Sequence, residues 1–323
     1  MTSDTTAPVA RVRDLPDLLG VIPHLLGFHP EESMVLMVVD EGLVQLTARS
    51  DLSDLRAAGH LELLIERMLV RWPGAKMWAV AYARAEDAGW ALLERAREHL
   101  GDGLAGDPIC VSGDRFRVGD RGGPAFRHDP ATSTTAAAAT VHGLQARPSR
   151  ECIATLLQAD PRDAGEAEDA WVRSLGRMLE LAPDERPGEL LRALRVALGD
   201  PATASRDDLA WLGLLINDPY ARDEAVLSLE RSDAESWVEL WTRVVRGCPY
   251  GTQAQPLAIL ALAAWVNGDG ALHSVCLEEM DAQGVEPGLK RMLEHLNLAI
   301  VPPSDWDELR VRFRELLEEP DEG

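Results

Sequence analysis

The chain has almost no lysine. Of its 32 basic residues only Lys76 and Lys290 are lysines, a skew that reflects genome composition rather than function. Cysteine is scarce too, and Cys110, Cys152, Cys248 and Cys276 stand far apart. No CxxC or Cys/His ligand spacing arises from them, which argues against a zinc site and fits free thiols in a reducing cytoplasm. No run of about 18 apolar residues occurs. The opening MTSDTTAPVARVRD carries no apolar signal segment. The expectation is a cytoplasmic protein that makes no membrane contact. Positive charge is short as well: 54 Asp and Glu against 32 Lys and Arg leave a net charge of −22. Phosphate contacts need clustered Lys and Arg, so this balance opposes nucleic acid and anionic membranes and favours basic partners. Catalytic signatures are missing: there is no GxSxG elbow, no HExxH and no GxxxxGK[ST]. The glycine-rich GDRGG at Gly119–Gly123 has no following lysine to reach a phosphate and reads as a flexible loop. The expectation is therefore no cofactor, no metal site and no catalytic residue, with the balance against an enzyme.

What is present is a chain of 323 residues with an apolar fraction of 46%, enough for a sizeable core and two domains. The most distinctive stretch is Leu15–Asp51. Asp14 is placed to cap a helix that has Pro16 in its first turn. Leu18, Leu19, Ile22, Leu25 and Leu26 recur at helical spacing. Pro23 predicts a kink or break, and Gly27 a stop. Phe28–Glu32 reads as a turn. Ser33–Val39 is an almost unbroken apolar run, the pattern of a strand buried on both faces. Asp40-Glu41-Gly42 reverses the chain, and Leu43–Ser50 alternates as a half-exposed strand should.

Beyond it, a helix is expected from Ser53 or Asp54 to Arg71, a strand over Lys76–Tyr82 and a helix over Glu86–Leu100. Two short strands, Pro108–Val111 and Arg115–Val118, flank a turn at Ser112-Gly113-Asp114. Strand–helix–strand succession implies right-handed parallel crossovers beside the antiparallel hairpin. Gly119–Pro130 reads as loop. Ser133-Thr134-Thr135 and four alanines open a helix reaching roughly Ala146. From Pro148 onward only helical patterns appear, near 149–158, 163–182, 187–198, 205–216, 219–230, 233–246, 253–267, 269–283, 287–297 and 304–318. The pair over Ala254–Gly284 is similar to one tetratricopeptide unit, without a fixed-period repeat. The expected organisation is a disordered tail at 1–12, a mixed α/β domain at 13–147, an all-α, tetratricopeptide-like domain at 148–318 and an acidic tail at 319–323.

Candidate chemistry is thin. His24 and His29 with Glu31 and Glu32 match no metal-ligand spacing. Arg49 and Asp51 end a strand, where α/β sheets hold ligands; the bland alternative is an ion pair facing solvent, of little energetic value. Cys110 reads as a small buried apolar residue, and Trp171, Trp211, Trp237, Trp241 and Trp265 as core packing. The candidate binding set is His29, Glu31, Ser33, Arg49 and Asp51.

Leu15–Leu19 followed by Pro23–Ser33 resembles the opening of the domain-of-unknown-function 4192 family, found mainly in actinobacteria. Arg49–Leu52, Asn217–Asp223 and Leu260–Ala271 resemble its later markers. The similarity runs from about 12 to 300. That family has no established activity, so the resemblance implies identity and supplies no chemistry. Its members often carry a Trp- and Cys-containing segment before the linker; here RFRVGDRGGPAFRHDP has no cysteine. Three functional readings follow. The first is a non-enzymatic protein-interaction or regulatory module acting through its helical half. The second is a small-molecule enzyme or sensor with its site at the strand ends. The third is a DNA-linked regulator, which the charge opposes: Arg186, Arg192 and Arg195 are diluted by Glu185 and Glu189.

Overall fold

The computed structural model describes residues 12–129, 133–141, 144–284 and 288–318. They form two compact units divided between Arg150 and Glu151, the first mixed α/β and the second all-helical. The expected tails, up to residue 11 and over 319–323, lie outside the described residues.

In the α/β unit, α1 (Leu15–Leu26) precedes a hairpin of β1 (Ser33–Asp40) and β2 (Leu43–Asp51). Then come α2 (Leu52–Leu55), α3 (His60–Arg71), β3 (Lys76–Tyr82) and α4 (Glu86–Leu100). They are followed by β4 (Ile109–Ser112), β5 (Arg115–Val118), β6 (Ala125–Arg127) and α5 (Thr134–Val141). The six strands form one sheet in the order β2-β1-β3-β4-β5-β6. β1 has a strand on either side, and Met34–Val38 are fully buried, as their unbroken apolarity requires. The hairpin loop is two residues, Glu41 and Gly42, both at positive φ (49° and 79°). That is the local twist a two-residue hairpin turn demands.

Only β3 and β4 pair in parallel; β1 runs antiparallel to both β2 and β3. The expected parallel crossovers thus reduce to β3–α4–β4, because the hairpin interposes β1 between β2 and β3. α4 covers one sheet face at close range: a Cβ on Gly89 would lie 3.0 Å from Cys110 Sγ, 3.1 Å from Ala83 Cβ and 3.2 Å from Ala81 Cβ. The thiol of Cys110 is pushed up to about 12 by this burial, so it stays protonated, in keeping with a small apolar residue.

Four expectations are corrected or narrowed. Of the kink or break expected at Pro23, the break is absent, since α1 runs on to Leu26: one amide is lost, only a turn of helix follows, and the buried apolar face holds the helix against α5. The helix expected over 53–71 is two, α2 and α3, because Gly59 sits at φ +83°, outside the helical region. The Gly119–Pro130 stretch contains β6, whose Phe126 stacks on Phe116 of β5 at 5.4 Å. α5 ends at Val141 rather than near Ala146. The chain returns along α1 instead: Arg147 N donates to Gly27 O (2.8 Å) and His29 N to Arg147 O (3.0 Å).

The helical unit comprises α6 (Glu151–Leu156), α7 (Ala164–Glu180), α8 (Arg186–Gly199), α9 (Arg206–Leu215) and α10 (Pro219–Ser228). It continues with α11 (Ala234–Gly247), α12 (Ala254–Val266), α13 (Gly270–Ala282), α14 (Gly288–Leu298) and α15 (Trp306–Glu318). Their starts are set by local caps. Ser205 and Asp208 form a reciprocal box on α9. Asp218 accepts from Tyr220 N and Ala221 N on α10, and Asp269 from Leu272 N on α13. α12 is buried almost along its whole length. Trp237 and Trp241 stack at 6.3 Å, and the Trp265 and Trp306 rings meet edge to face at 6.1 Å. Trp211 departs from a purely apolar role: its Nε1 donates to Glu189 (2.9 Å) and Arg177 lies 4.0 Å above its ring. Lys290 is 97% hidden, its ammonium held between Asp281 (2.6 Å) and Glu294 (2.9 Å). Those two hydrogen-bonded carboxylates raise its pKa.

Candidate functional site

Strand register decides which side chains meet. Ser33 pairs with Asp51 on β2 and with Tyr82 on β3; Val35 pairs with Arg49, and Met37 with Thr47. Directly paired residues share a sheet face. Ser33, Thr47, Arg49, Asp51 and Tyr82 therefore occupy one face, opposite to that covered by α4. β2, β3 and β4 run in one direction, so Asp51 and Tyr82 mark their common carboxyl end, the place where α/β sheets hold ligands.

Arg49 grips Asp51 with both terminal nitrogens, at 3.0 and 2.7 Å. Its guanidinium lies 5.8 Å from the centroid of the Phe28 ring. Its side chain is 16% exposed while that of Asp51 is 44% exposed, so the pair is bidentate, with its cation covered and its carboxylate open to solvent. Glu31 and Glu32 stand at the rim. Glu31 pairs with Arg84 at 2.7 Å, both groups well exposed, a contact of little energetic value. Glu32, at φ +43°, is a junction: its carbonyl accepts from Leu52 N (2.9 Å) and its carboxylate from Arg84 N (2.7 Å). It ties the start of β1 to the ends of β2 and β3.

The buried polar atoms of this face are not all satisfied. Five described side-chain polar atoms of the α/β unit are buried without a hydrogen-bond partner, and four of them, Ser33 Oγ, Thr47 Oγ1, Arg49 Nε and Tyr82 Oη, lie on this face. Each such atom costs about 1–3 kcal/mol. Four on three adjacent strands is a concentration that core packing does not call for. Burial raises the pKa of Tyr82, so its hydroxyl is a donor.

The histidines come together differently from expectation. His29 has its pKa lowered by burial and by nearby His24. His128, buried against Phe116, is lowered by burial and by His29. His24 Nδ1 donates to the Leu144 carbonyl at 2.7 Å. Among the described residues no group of three or more His, Cys, Asp or Glu is disposed to hold a metal.

A family model described as Domain of unknown function (DUF4192) matches residues 16–304, through both units. The chain belongs to the DUF4192 family. No curated protein and no solved structure matches it.

Of the expected set in this DUF4192 protein, the structure brings Ser33, Arg49 and Asp51 onto one face and leaves Glu31 at the rim beside Arg84. His29 lies with His24 and His128. Sequence reasoning missed Tyr82, Thr47 and His128, and it weighed Glu32 only beside the histidines. Strand parity already aligned Thr47 with Arg49; nothing local told that Tyr82 faces Ser33. Clefts also lie among the described residues of the helical unit. One, of about 280 Å³, is lined by Asp160, Asp163, Arg206, Arg243 and Arg246. There Arg206 is consumed by Asp163 (2.7 Å) and Glu166 (2.9 Å). Another, of about 230 Å³, lies among Val226, Leu227, Leu289, Met292 and Phe313. Among the described residues no helix is long and apolar enough to cross a membrane. Arg186 and Arg192 are paired with Asp218 and Glu189.

The buried histidines set a pH response. His128 and His273 have native pKa values below the ordinary 6.5 because burial disfavours the charged ring. The unfolded chain takes up protons at the ordinary value, so it binds more protons than the native state as pH falls through about 6.5. Stability then declines, by at most about 1.4 kcal/mol per pH unit for each group. Thermal melts at pH 7.5, 6.5 and 5.5 are expected to show a falling Tm over the lower step. His128→Asn is expected to flatten that fall, and an unchanged slope would remove His128 as its source.

Proposed function

We propose that this DUF4192 protein is a non-enzymatic regulatory module that binds a small, oxygen-bearing ligand at the carboxyl end of β2 and β3. One observation carries the reading: the four unpartnered buried polar atoms on the face that holds Arg49 and Asp51. Ser33, Tyr82 and the Arg49 Nε–H offer donors, so the complementary ligand presents acceptors. The Arg49 charge is already met by Asp51, and Glu31 and Glu32 stand nearby. This balance favours an uncharged carbonyl or hydroxyl ligand, or a monocarboxylate, over a phosphate dianion. Two side chains support binding over chemistry: Ser33 Oγ has no base at hydrogen-bond distance, and the Cys110 thiol is held protonated on the opposite face. In this reading the helical half passes the ligand state to a protein partner in the cytoplasm.

The test uses Ser33→Ala and Tyr82→Phe, each of which deletes one unpaired hydroxyl. Without ligand both are expected to be neutral or stabilising by up to about 1 kcal/mol. Thermal-shift screening with sugars, small amides and monocarboxylates, followed by calorimetry, is expected to yield a ligand whose affinity drops about tenfold in each variant. Ligands that bind the two variants and the parent chain equally would sink the assignment.

A further inference from the structure

Helix α7 has an apolar stripe on a side that none of the described residues covers. Ala170 and Ser174 are buried, and Trp171 and Met178 are half-buried, on the side that packs with α9. Val172, Leu175 and Leu179 are 60%, 43% and 89% exposed. Their spacing of three and four residues puts them on one line along the helix. Single exposed aliphatics are ordinary; three aligned on one helix form a docking face.

Gly176 lies on the same line. A Cβ there would meet nothing within 4 Å, so internal packing does not require the glycine. A helix-interior glycine costs about 1 kcal/mol against alanine, and here it leaves a flat spot between Val172 and Leu179 where a second helix can come close. Carboxylates stand near both ends of the stripe. Glu168 and Asp169 precede Val172 by one turn, and Glu180 follows Leu179; all three are exposed, and among the described residues the two arginines beside the stripe, Arg173 and Arg177, pair with Asp207 and Glu189 rather than with them. The chain as a whole stands at −22.

We propose that this face of α7 docks a basic amphipathic helix of a partner protein, whose apolar residues cover Val172, Leu175 and Leu179 and whose Arg or Lys residues meet Glu168, Asp169 and Glu180. The proposal rests on the reading of the helical half as the partner-binding part and names its surface. Charge complementarity selects the occupant. A second copy of this chain would bring the same carboxylates to the contact, whereas a basic helix gains steering and register from them.

The probes are two synthetic 20-residue amphipathic peptides with the same leucine face, one with arginine and lysine on its polar side and one with glutamate. Fluorescence anisotropy against the full chain is expected to show saturable, salt-sensitive binding of the basic peptide and none of the acidic one. Leu179→Glu and Leu175→Glu, both at exposed positions, are expected to weaken binding by about 10- to 100-fold. The triple change Glu168→Gln, Asp169→Asn, Glu180→Gln is expected to weaken it by about fivefold and to flatten its salt dependence. Val196→Glu, an exposed aliphatic on α8, is the control and is expected to leave it unchanged. Equal binding of the two peptides, or binding that survives Leu179→Glu, overturns the assignment to α7; in the latter case the helical half still binds partners elsewhere. No binding of the basic peptide at all counts against the partner-binding reading itself. A mass that doubles with concentration and returns to one chain in Leu179→Glu would give the face to a second copy and likewise overturn the proposal.

Discussion

Replacing Trp306 by alanine is expected to lower the stability of the helical unit by about 3–5 kcal/mol, the range for deleting a fully buried large aromatic. Trp306 opens α15 and is 0% exposed. Three losses combine. The ring leaves a cavity between α15 and α12. Its edge-to-face contact with Trp265 disappears, a geometry worth about 0.5–1.5 kcal/mol beyond area. The Leu229 carbonyl, which accepts from Trp306 Nε1 at 3.0 Å, loses that donor and retains only a long contact from Arg310 at 3.4 Å. Urea unfolding followed by far-ultraviolet circular dichroism measures the change. Trp306→Phe separates the terms: it refills most of the volume and leaves the carbonyl unserved, so a cost of about 1–3 kcal/mol is expected. A Trp306→Ala variant within about 1 kcal/mol of the parent would show that α15 is not a structural part of this unit.

Gly89→Leu is expected to cost the α/β unit about 3 kcal/mol or more. α4 lies so near the sheet that even a Cβ would be pressed against Cys110, Ala83 and Ala81. None of those neighbours is a long flexible side chain that can swing aside. A leucine must lift the helix or displace β3 and β4, and overpacking of this kind costs about 1–3 kcal/mol when the backbone yields and more when it does not. Gly89→Ala, at 3.0–3.2 Å, is expected to cost less, and Cys110→Ala should relieve part of it because the sulfur is the nearest atom. Relief measured in a double-mutant cycle places the strain at that contact; strict additivity would mean that the helix shifts as a whole.

Much of this fold was legible because its signals are local. The run Ser33–Val39 and the alternation over Leu43–Ser50 announce a buried strand and a half-covered neighbour, and Asp40-Glu41-Gly42 announces the turn between them. In the helical half the starts of α9, α10 and α13 are fixed by Ser205, Asp218 and Asp269, each bonding within three residues. The misses are non-local or small. β6 is three exposed residues held through Phe126 on Phe116, too little for a periodic signal. Gly59 sits in an otherwise good helical pattern, and its weight as a breaker was outvoted by the leucines around it. Of the candidate site, Arg49 and Asp51 were visible from parity on one strand. Tyr82 was not, because its place opposite Ser33 depends on β1 lying between β2 and β3, a pairing order that no stretch of sequence states. The stripe on α7 was hidden for a related reason: its apolar residues are in plain view, but periodicity cannot tell which of two apolar faces is covered.

The shortage of lysine has a practical side. Lys290 is sealed between Asp281 and Glu294 with its ammonium held charged, whereas Lys76, at the start of β3, is exposed. Amine-directed acylation needs a neutral, reachable nitrogen, so of the two lysines in the sequence only Lys76, exposed with its Nζ donating to the Asp102 carbonyl, is within reach of such reagents. A dye, a cross-linker or an acyl mark placed on a side-chain amine of this protein lands at a single known address on the sheet of the α/β unit.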